Sequence, residues 1–178
     1  MPVDVKGAVA NAFLEMATRK DVDKITVKDL VEACGISRQT FYYHFRDIVD
    51  VLEWTARQGV ERILAQSLKA SSPREALRLF VDFAAESRPM VRRLLNSQRR
   101  EVMERIMVEA VRSYLERSVR ERGIEPPLNQ ADWQVTLDFY ACGMAGLLLG
   151  SDRLPTQDRE RLADQLARLL SGEMVRPE

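Results

Sequence analysis

The feature that most constrains this chain is a pair of explicit helix starts on either side of Gly35. Thr26 is followed three residues later by Asp29, which is a capping-box pattern, and Ser37 is placed to cap a second helix. Gly35 supplies the left-handed residue that a tight turn between two helices requires. Two short helices with fixed starts and a glycine turn between them are typical of a helix-turn-helix.

The second helix of this pair divides its side chains between two faces. At about 100° per residue, Phe41 and Phe45 fall on one side, where we expect them to enter a small core. The outward face and its flanks carry amide, hydroxyl, phenol and imidazole groups, namely those of Gln39, Thr40, Tyr42, Tyr43 and His44. Such groups suit the base edges and phosphate oxygens of a DNA major groove, whereas a merely solvated helix usually carries Lys and Glu. No acidic residue lies between Ala33 and Arg46, so we predict a DNA-binding helix, with an ordinary aromatic hairpin as the alternative.

Apolar residues recur at helical spacing along almost the whole chain of 178 residues, and no stretch alternates as a strand would. We predict an all-α fold of about nine helices, with Pro73 in the first turn of one helix and Pro89 at a further helix boundary. A three-helix DNA-binding domain over residues 1–46 is expected to precede a helical effector-binding and dimerisation domain over residues 47–178.

Composition excludes several classes of protein. The chain has Cys34, Cys142 and a single histidine, His44, too few for a four-ligand zinc site, and a disulfide framework is not expected. The longest nearly apolar stretch, Phe139–Gly150, is shorter than the roughly 20 residues of a membrane span. The N-terminus lacks the pattern of a signal peptide, so we expect a cytoplasmic protein without metal or other cofactor. Cys34 is expected to be a small apolar filler, with redox sensing as the alternative.

The N-terminal segment resembles the TetR (tetracycline-repressor) family of bacterial transcription regulators over roughly residues 5–52. Three runs carry the resemblance: Ile25-Thr26-Val27-Lys28-Asp29-Leu30, Gly35-Ile36-Ser37 and Thr40-Phe41-Tyr42-Tyr43-His44-Phe45. The run over residues 35–48 is similar in particular to the branch that contains regulators of dihydroxyacetone-kinase operons. Past residue 52 only the helical plan resembles the family.

The resemblance implies a homodimer that places two recognition helices in successive major grooves of a palindromic operator. Its base-reading candidates are Arg38, Gln39, Thr40 and Tyr42. Its phosphate-positioning candidates are Thr26, Lys28, Ser37, Tyr43 and His44, the last of which has a structural role as its alternative. Many family members place a phosphate-binding lysine at the start of the fourth helix; here that position is Ile48, and Arg46 is the candidate substitute.

The resemblance also implies an effector bound among the C-terminal helices. Most methionines and aromatic residues there are expected to form core, and the candidates for lining a cavity are Trp54, Phe83, Met103, Met107, Tyr114 and Tyr140. An effector that favours one separation of the recognition helices would modulate or release the DNA, as a repressor requires. The alternative is a regulator or activator controlled by a partner protein, without a small-molecule pocket.

The segment Phe139–Gly150 is apolar all round, which indicates burial on more than one side. One side is expected to face the domain core and the other a second subunit, with a central helix in a monomer as the alternative. The expected interface residues of this helix and the last helix are Gly143, Gly146, Leu147, Leu162, Leu166 and Leu169.

Two further patterns bear on function. An arginine-rich stretch consists of Arg88, Arg92, Arg93, Arg99 and Arg100. These arginines are expected to form solvated helix faces and to pair in part with Glu101 and Glu104; the alternative is that they bind an anion or a second DNA segment. An enzyme is not expected, because His44 lies in the presumed DNA-binding helix and no glycine-rich phosphate loop is present.

Overall fold

The computed structural model describes residues 4–123, 129–149 and 159–170. Within these ranges the protein has eight α-helices, one short 3-10 helix and no strand, so the all-α prediction is confirmed. The elements are α1 (Val5–Arg19), the 3-10 helix (Val22–Lys24), α2 (Val27–Cys34), α3 (Arg38–His44), α4 (Ile48–Ser67), α5 (Pro73–Leu95), α6 (Arg100–Glu121), α7 (Gln130–Leu149) and α8 (Arg159–Leu170). In the part of the chain described, no helix combines the length and the apolar character that a membrane span needs.

The predicted helix boundary at Pro89 is wrong. Helix α5 continues through this proline from Pro73 to Leu95, which explains why one helix fewer is found than was expected. A proline inside a helix removes one backbone hydrogen bond and typically costs about 3 kcal/mol. Burial of apolar side chains on both sides of Pro89, including Phe80 and Leu94, offsets that cost.

The chain divides into two compact units, and the first comprises the described residues of Met1–Gly59 and Pro89–Met107. Its core is formed by α1 to α4 together with Leu94, Met103 and Ile106 from the later segment. A module of about 50 residues buries too little apolar surface to be very stable alone, so these additions enlarge its core. The division at residue 46, between a DNA-binding domain and an effector-binding and dimerisation domain, is one of function and stays a prediction.

The second unit comprises the described residues of Val60–Arg88 and Val108–Glu178. Its core contains one buried polar cluster: the Tyr114 hydroxyl donates to Ser67 Oγ at 2.9 Å, and its ring stacks on Phe80 with centroids 4.8 Å apart. Burial raises the pKa of Tyr114, so its hydroxyl stays protonated and remains a donor. On the surface of this unit, Arg112 Nε donates to Asp138 at 2.7 Å.

Candidate nucleic-acid interface

Helix α2 begins at the capping box that the sequence predicts. Thr26 Oγ1 accepts from the Asp29 N–H at 3.2 Å, and Asp29 Oδ2 accepts from the Thr26 N–H at 2.8 Å. The same carboxylate oxygen accepts from the Thr26 hydroxyl at 2.7 Å and from Lys20 Nζ at 3.1 Å. Because these Thr26 donors and then Lys20 favour the ionised carboxylate, the pKa of Asp29 falls from 3.8 to about 2.

This arrangement changes what Thr26 has to offer to DNA. Its backbone N–H and its hydroxyl are both donated to Asp29. A phosphate would therefore have to displace Asp29 before Thr26 could donate to it. The geometry favours Thr26 as the residue that fixes the start of α2.

The turn between α2 and α3 needs its glycine for backbone reasons alone. Gly35 has φ 63° and ψ 30°, and its N–H donates to the Glu32 carbonyl at 3.3 Å. The Ile36 N–H donates to the Val31 carbonyl at 3.0 Å, which closes the end of α2. A Cβ built on Gly35 would meet no atom within 4 Å, so side-chain crowding does not require glycine here.

Helix α3 is capped by Ser37, whose Oγ accepts from the Thr40 N–H at 3.0 Å. The two hydroxyls of Ser37 and Thr40 lie 2.8 Å apart and share one hydrogen bond. Because only one of them donates in that bond, one hydroxyl hydrogen of the pair remains for a phosphate or a base edge.

The side chains of α3 separate into the two faces expected from the sequence. Phe41 is fully buried and Phe45, which caps the helix, is almost so. On the other side, Tyr43 is 85 % exposed and Tyr42 is 58 % exposed. Arg38 and Gln39 are exposed, while Thr40 and His44 are half-buried. This short helix thus presents a guanidinium, an amide and two phenols outward, while its two phenylalanines are buried on the opposite side.

Aromatic contacts along α3 orient the exposed rings. The Tyr42 ring meets the Phe41 ring edge-on at 5.4 Å between centroids, and Tyr43 meets His44 edge-on at 5.0 Å. Such contacts restrict the rotamers of side chains that would otherwise be free in solvent. The outward face is therefore partly organised before any partner binds.

Basic groups flank the helix-turn-helix. Lys28 is exposed and lies 3.7 Å from Glu32, a solvated pair that a phosphate could replace. The Arg46 side chain is 82 % exposed and lies 3.7 Å from Asp50, whereas Ile48 is buried in the core of the first unit. Sequence reasoning missed Lys6, whose ammonium lies 5.4 Å from the centre of the Phe45 ring at the end of α3. No sequence signal marked it, because α1 reaches α3 only in the folded protein.

Comparison with known families bears directly on this segment. Residues 11–53 match the family described as "Bacterial regulatory proteins, tetR family". Residues 11–53 form a TetR-family domain. The match contains the capping box, the glycine turn and the whole of α3. The resemblance stated from the sequence is confirmed over these residues.

Solved structures share the fold of this chain. The dihydroxyacetone kinase operon activator DhaS aligns with a TM-score of 0.64 at 18% identity, covering 96% of this chain and 96% of that one. A putative TetR-family transcriptional regulator from Syntrophomonas wolfei aligns at 0.61 with 13% identity and 97% of each chain covered. The TetR family repressor AlkX from Dietzia sp. aligns at 0.60 with 17% identity, covering 92% of this chain and 96% of that one. Among curated proteins, no sequence matches.

The six residues expected to line an effector cavity fall in both compact units. Trp54, Met103 and Met107 pack in or against the core of the first unit. In the second unit, Tyr114 is a buried core residue and Tyr140 is half-buried beside Phe139. Phe83 lines a groove of about 480 Å³ between α4 and α5, with Arg62, Gln66, Leu79, Asp82, Glu86 and Ser87.

The residues expected at a subunit interface differ in exposure. Gly143 and Gly146 are exposed, and a Cβ at either would meet no atom within 4 Å. Leu147 is also exposed, while Leu162 and Leu169 are half-buried. Leu166 instead packs inside the core of the second unit, because the inward stripe of α8 consists of Ala163 and Leu166.

The prediction of solvated arginines fits Arg93 and Arg100, which are exposed, and is wrong for Arg99, which is half-buried. Arg100 Nε donates to Glu104 at 2.8 Å in an exposed pair. Arg93 and Arg99 donate to the backbone carbonyls of Ala17 and Val22, at 3.1 and 2.7 Å. Their partners are about 76 residues away in sequence, so spacing along one helix could not reveal them.

Two other expectations concern metals and cysteine. Among the described residues, no group of three or more His, Cys, Asp and Glu side chains is placed to hold a metal ion. Cys34 is half-buried, and this burial raises the pKa of its thiol. A raised pKa lowers the thiolate fraction, which favours the expected role as apolar filler.

Proposed function

We propose that the protein is a sequence-specific, cytoplasmic, DNA-binding transcription regulator that acts as a homodimer on a palindromic operator, as a repressor. The observation that carries this proposal is the outward face of α3. There Arg38, Gln39, Tyr42 and Tyr43 are exposed while Phe41 is fully buried, within residues that match the TetR family. Direct readout of bases needs such a face on a short helix held by its neighbours.

Each exposed group has a chemical role in this proposal. Arg38 is suited to a bidentate contact with guanine, and Gln39 to one with adenine. Tyr42 reads the base edges, and Thr40 does so if its hydroxyl keeps the free hydrogen. Tyr43 and His44 contact phosphates, together with Ser37, Lys28 and, after displacement of Asp29, Thr26.

An exposed apolar stripe on α7 supports the homodimer. Val135 is 69 % exposed and Phe139 is 74 % exposed. Cys142, Gly143 and Gly146 continue this side of the helix, and the glycines leave open space above the backbone. A second copy that packs on this stripe would remove apolar surface from water and bring the two helices close together.

We place the effector in the groove that Phe83 lines. The lining combines one aromatic ring and Leu79 with carboxylates, an amide and a hydroxyl. The Arg62 guanidinium lies 5.5 Å from the centre of the Phe83 ring. This mixture suits a small ligand with both apolar and polar parts.

The test begins with selection of bound duplexes from random DNA, followed by fluorescence-anisotropy titration of the selected sequence. Gln39→Ala and Tyr43→Ala should each weaken binding of the selected sequence by about 5-fold to about 150-fold, because each removes a base or phosphate contact. Gln58→Ala is the matched control, since Gln58 is an exposed glutamine on α4. If both α3 variants, folded and dimeric, keep full sequence-specific affinity, the assignment of α3 is wrong.

The alternative regulator is controlled by a partner protein. The name of DhaS describes an activator of an operon. A reporter assay should therefore test whether this protein represses or activates transcription. Phe83→Ala should change the response of DNA binding to a small effector and leave a protein-controlled regulator unaffected. A reporter that responds only when a second protein is present would favour the alternative.

A further inference from the structure

Two donors from the turn between α5 and α6 hold the segment that precedes α2. Arg99 Nη1 donates to the Val22 carbonyl at 2.7 Å and to Asp23 Oδ1 at 3.3 Å. The Gln98 N–H donates to Asp23 Oδ2 at 3.0 Å. We call these contacts among Val22, Asp23, Gln98 and Arg99 the clasp.

The ion pair of the clasp is more sheltered from water than the neighbouring ion pair at the start of α6. The side chains of Arg99 and Asp23 are 20% and 25% exposed, against 68% and 42% for Arg100 and Glu104. Both carboxylate oxygens of Asp23 accept a hydrogen bond. Partial burial and charge-assisted hydrogen bonds make such a pair stronger than one in solvent.

The turn that carries the clasp is itself tied together. Ser97 Oγ donates to the Leu94 carbonyl at 2.7 Å and accepts from the Arg99 N–H at 3.1 Å. One helical turn earlier, Arg93 donates to the Ala17 carbonyl near the end of α1. The turn therefore offers its donors from a fixed backbone.

Only two residues separate the clasp from Thr26, the N-cap of α2. Val22 and Asp23 belong to the 3-10 helix, and Ile25, which follows it, is buried. Thr26 then caps α2, which leads through Gly35 into α3. A shift of the 3-10 helix would therefore be passed directly to the start of the helix-turn-helix.

The other end of the clasp lies between α5 and α6, two helices that contribute to both compact units. Residues 89–95 of α5 and 100–107 of α6 belong to the first unit. The remaining residues of both helices belong to the second unit, which carries the proposed dimer stripe. Within one chain, α4, α5 and α6 each contribute residues to both units and so connect the unit that contains α3 with the unit that contains α7.

We propose that Arg99 and Asp23 are positioning residues that fix the helix-turn-helix on the α5–α6 turn and so set the half-site spacing that the dimer accepts. This inference rests on the proposed function. A dimeric regulator reads two half-sites at a separation fixed by its own geometry. Loosening the clasp widens the range of separations that the two recognition helices reach, while the base contacts of α3 stay intact.

The experiment compares two duplexes: the sequence selected by the wild-type protein, and the same sequence with one base pair inserted between its half-sites. The variants are Arg99→Met, which removes the ion pair, and Asp23→Asn, which keeps the size of the side chain. Arg100→Met is the matched control, because it removes an exposed ion pair on the same turn. The readout is the ratio of the two dissociation constants, since a general loss of folded protein lowers both affinities equally.

The wild-type protein and Arg100→Met should share one ratio. Arg99→Met or Asp23→Asn should reduce that ratio by at least about 5-fold, the lower end of typical coupling between sites. Arg99→Lys should restore part of it, because it keeps a positive charge near Asp23. If a folded clasp variant keeps the wild-type ratio, or if Arg100→Met lowers it as much, the clasp has no role in spacing. If the wild-type protein selects no sequence, the proposed function fails, and this inference fails with it.

Discussion

Asp29 fixes the start of α2 together with Thr26. Its carboxylate accepts two hydrogen bonds from Thr26 and one from Lys20. These contacts fix α2 relative to the residues that precede it. They also keep the Asp29 carboxylate charged beside Lys28, and this negative charge weakens the attraction of the first turn of α2 for phosphate.

Replacing Asp29 by asparagine should destabilise the protein in a pH-dependent way. The folded-state pKa of Asp29, about 2, lies below its ordinary value of 3.8. The carboxylate therefore contributes stability above pH 3.8, and this contribution is lost as the pH falls through the folded-state value. In urea titrations, the deficit of Asp29→Asn relative to wild type should be present at neutral pH and shrink between pH values of about 4 and about 2.

Thr26→Ala provides the control for this prediction. Because both residues belong to one hydrogen-bonded unit, the double variant should lose less stability than the sum of the single losses. Additive losses, or a deficit of Asp29→Asn that does not change with pH, would show that the carboxylate does not act through the cap.

At the scale of elements, α5 shows how tertiary packing overrides a local rule. Pro89 lacks the N–H that an uninterrupted helix would use, yet the helix continues to Leu95. Residues on both sides of it are buried, Phe80 in one compact unit and Leu94 in the other. The proline lies where α5 passes from the second unit into the first.

Pro89→Ala should therefore raise the free energy of unfolding by about 1–3 kcal/mol, since it restores a backbone hydrogen bond and removes a ring clash. Pro73→Ala is the matched control. Pro73 begins α5, where its missing N–H has no partner within the helix, so a change of no more than about 0.5 kcal/mol is expected there. Denaturant titration measures both values. Equal effects at the two prolines would mean that α5 carries no local cost at Pro89.

At the scale of the whole molecule, charge is segregated by position. Lys plus Arg and Asp plus Glu each number 27, so the formal net charge is zero. Residues 1–50 contain 7 basic and 8 acidic residues, yet no acid lies between Ala33 and Arg46. In the proposed function, such a protein should gain little from general attraction to DNA and should depend on base contacts and on a second copy of itself.

The proposed dimer should depend on the exposed stripe of α7. Phe139→Arg places a charge in the middle of the exposed α7 stripe and should convert a dimer into a monomer in sedimentation equilibrium. Phe139 is exposed in the single chain, so the variant should keep the helical circular dichroism of the wild type. Gln58→Arg is the control, an exposed charge on α4 that should leave the dimer intact. A dimer that survives Phe139→Arg would place the interface elsewhere.

Local sequence patterns correctly predict the helix starts at Thr26 and Ser37, the left-handed turn at Gly35 and the two faces of α3. Capping, turn conformation and helical period depend on residues within about four positions of each other, so they can be predicted from the sequence. The proposal of DNA binding rests on these local features together with the family match over residues 11–53.

Contacts between residues far apart in sequence are seen only in the folded protein. Arg99 meets Asp23 across 76 positions, and α5 crosses Pro89 because apolar residues far apart in sequence bury one another. On α8, Leu166 belongs to the core of its own unit, although its spacing alone suited a subunit interface equally well. Packing and ion pairing depend on proximity in space, which the spacing of residues along one helix does not contain.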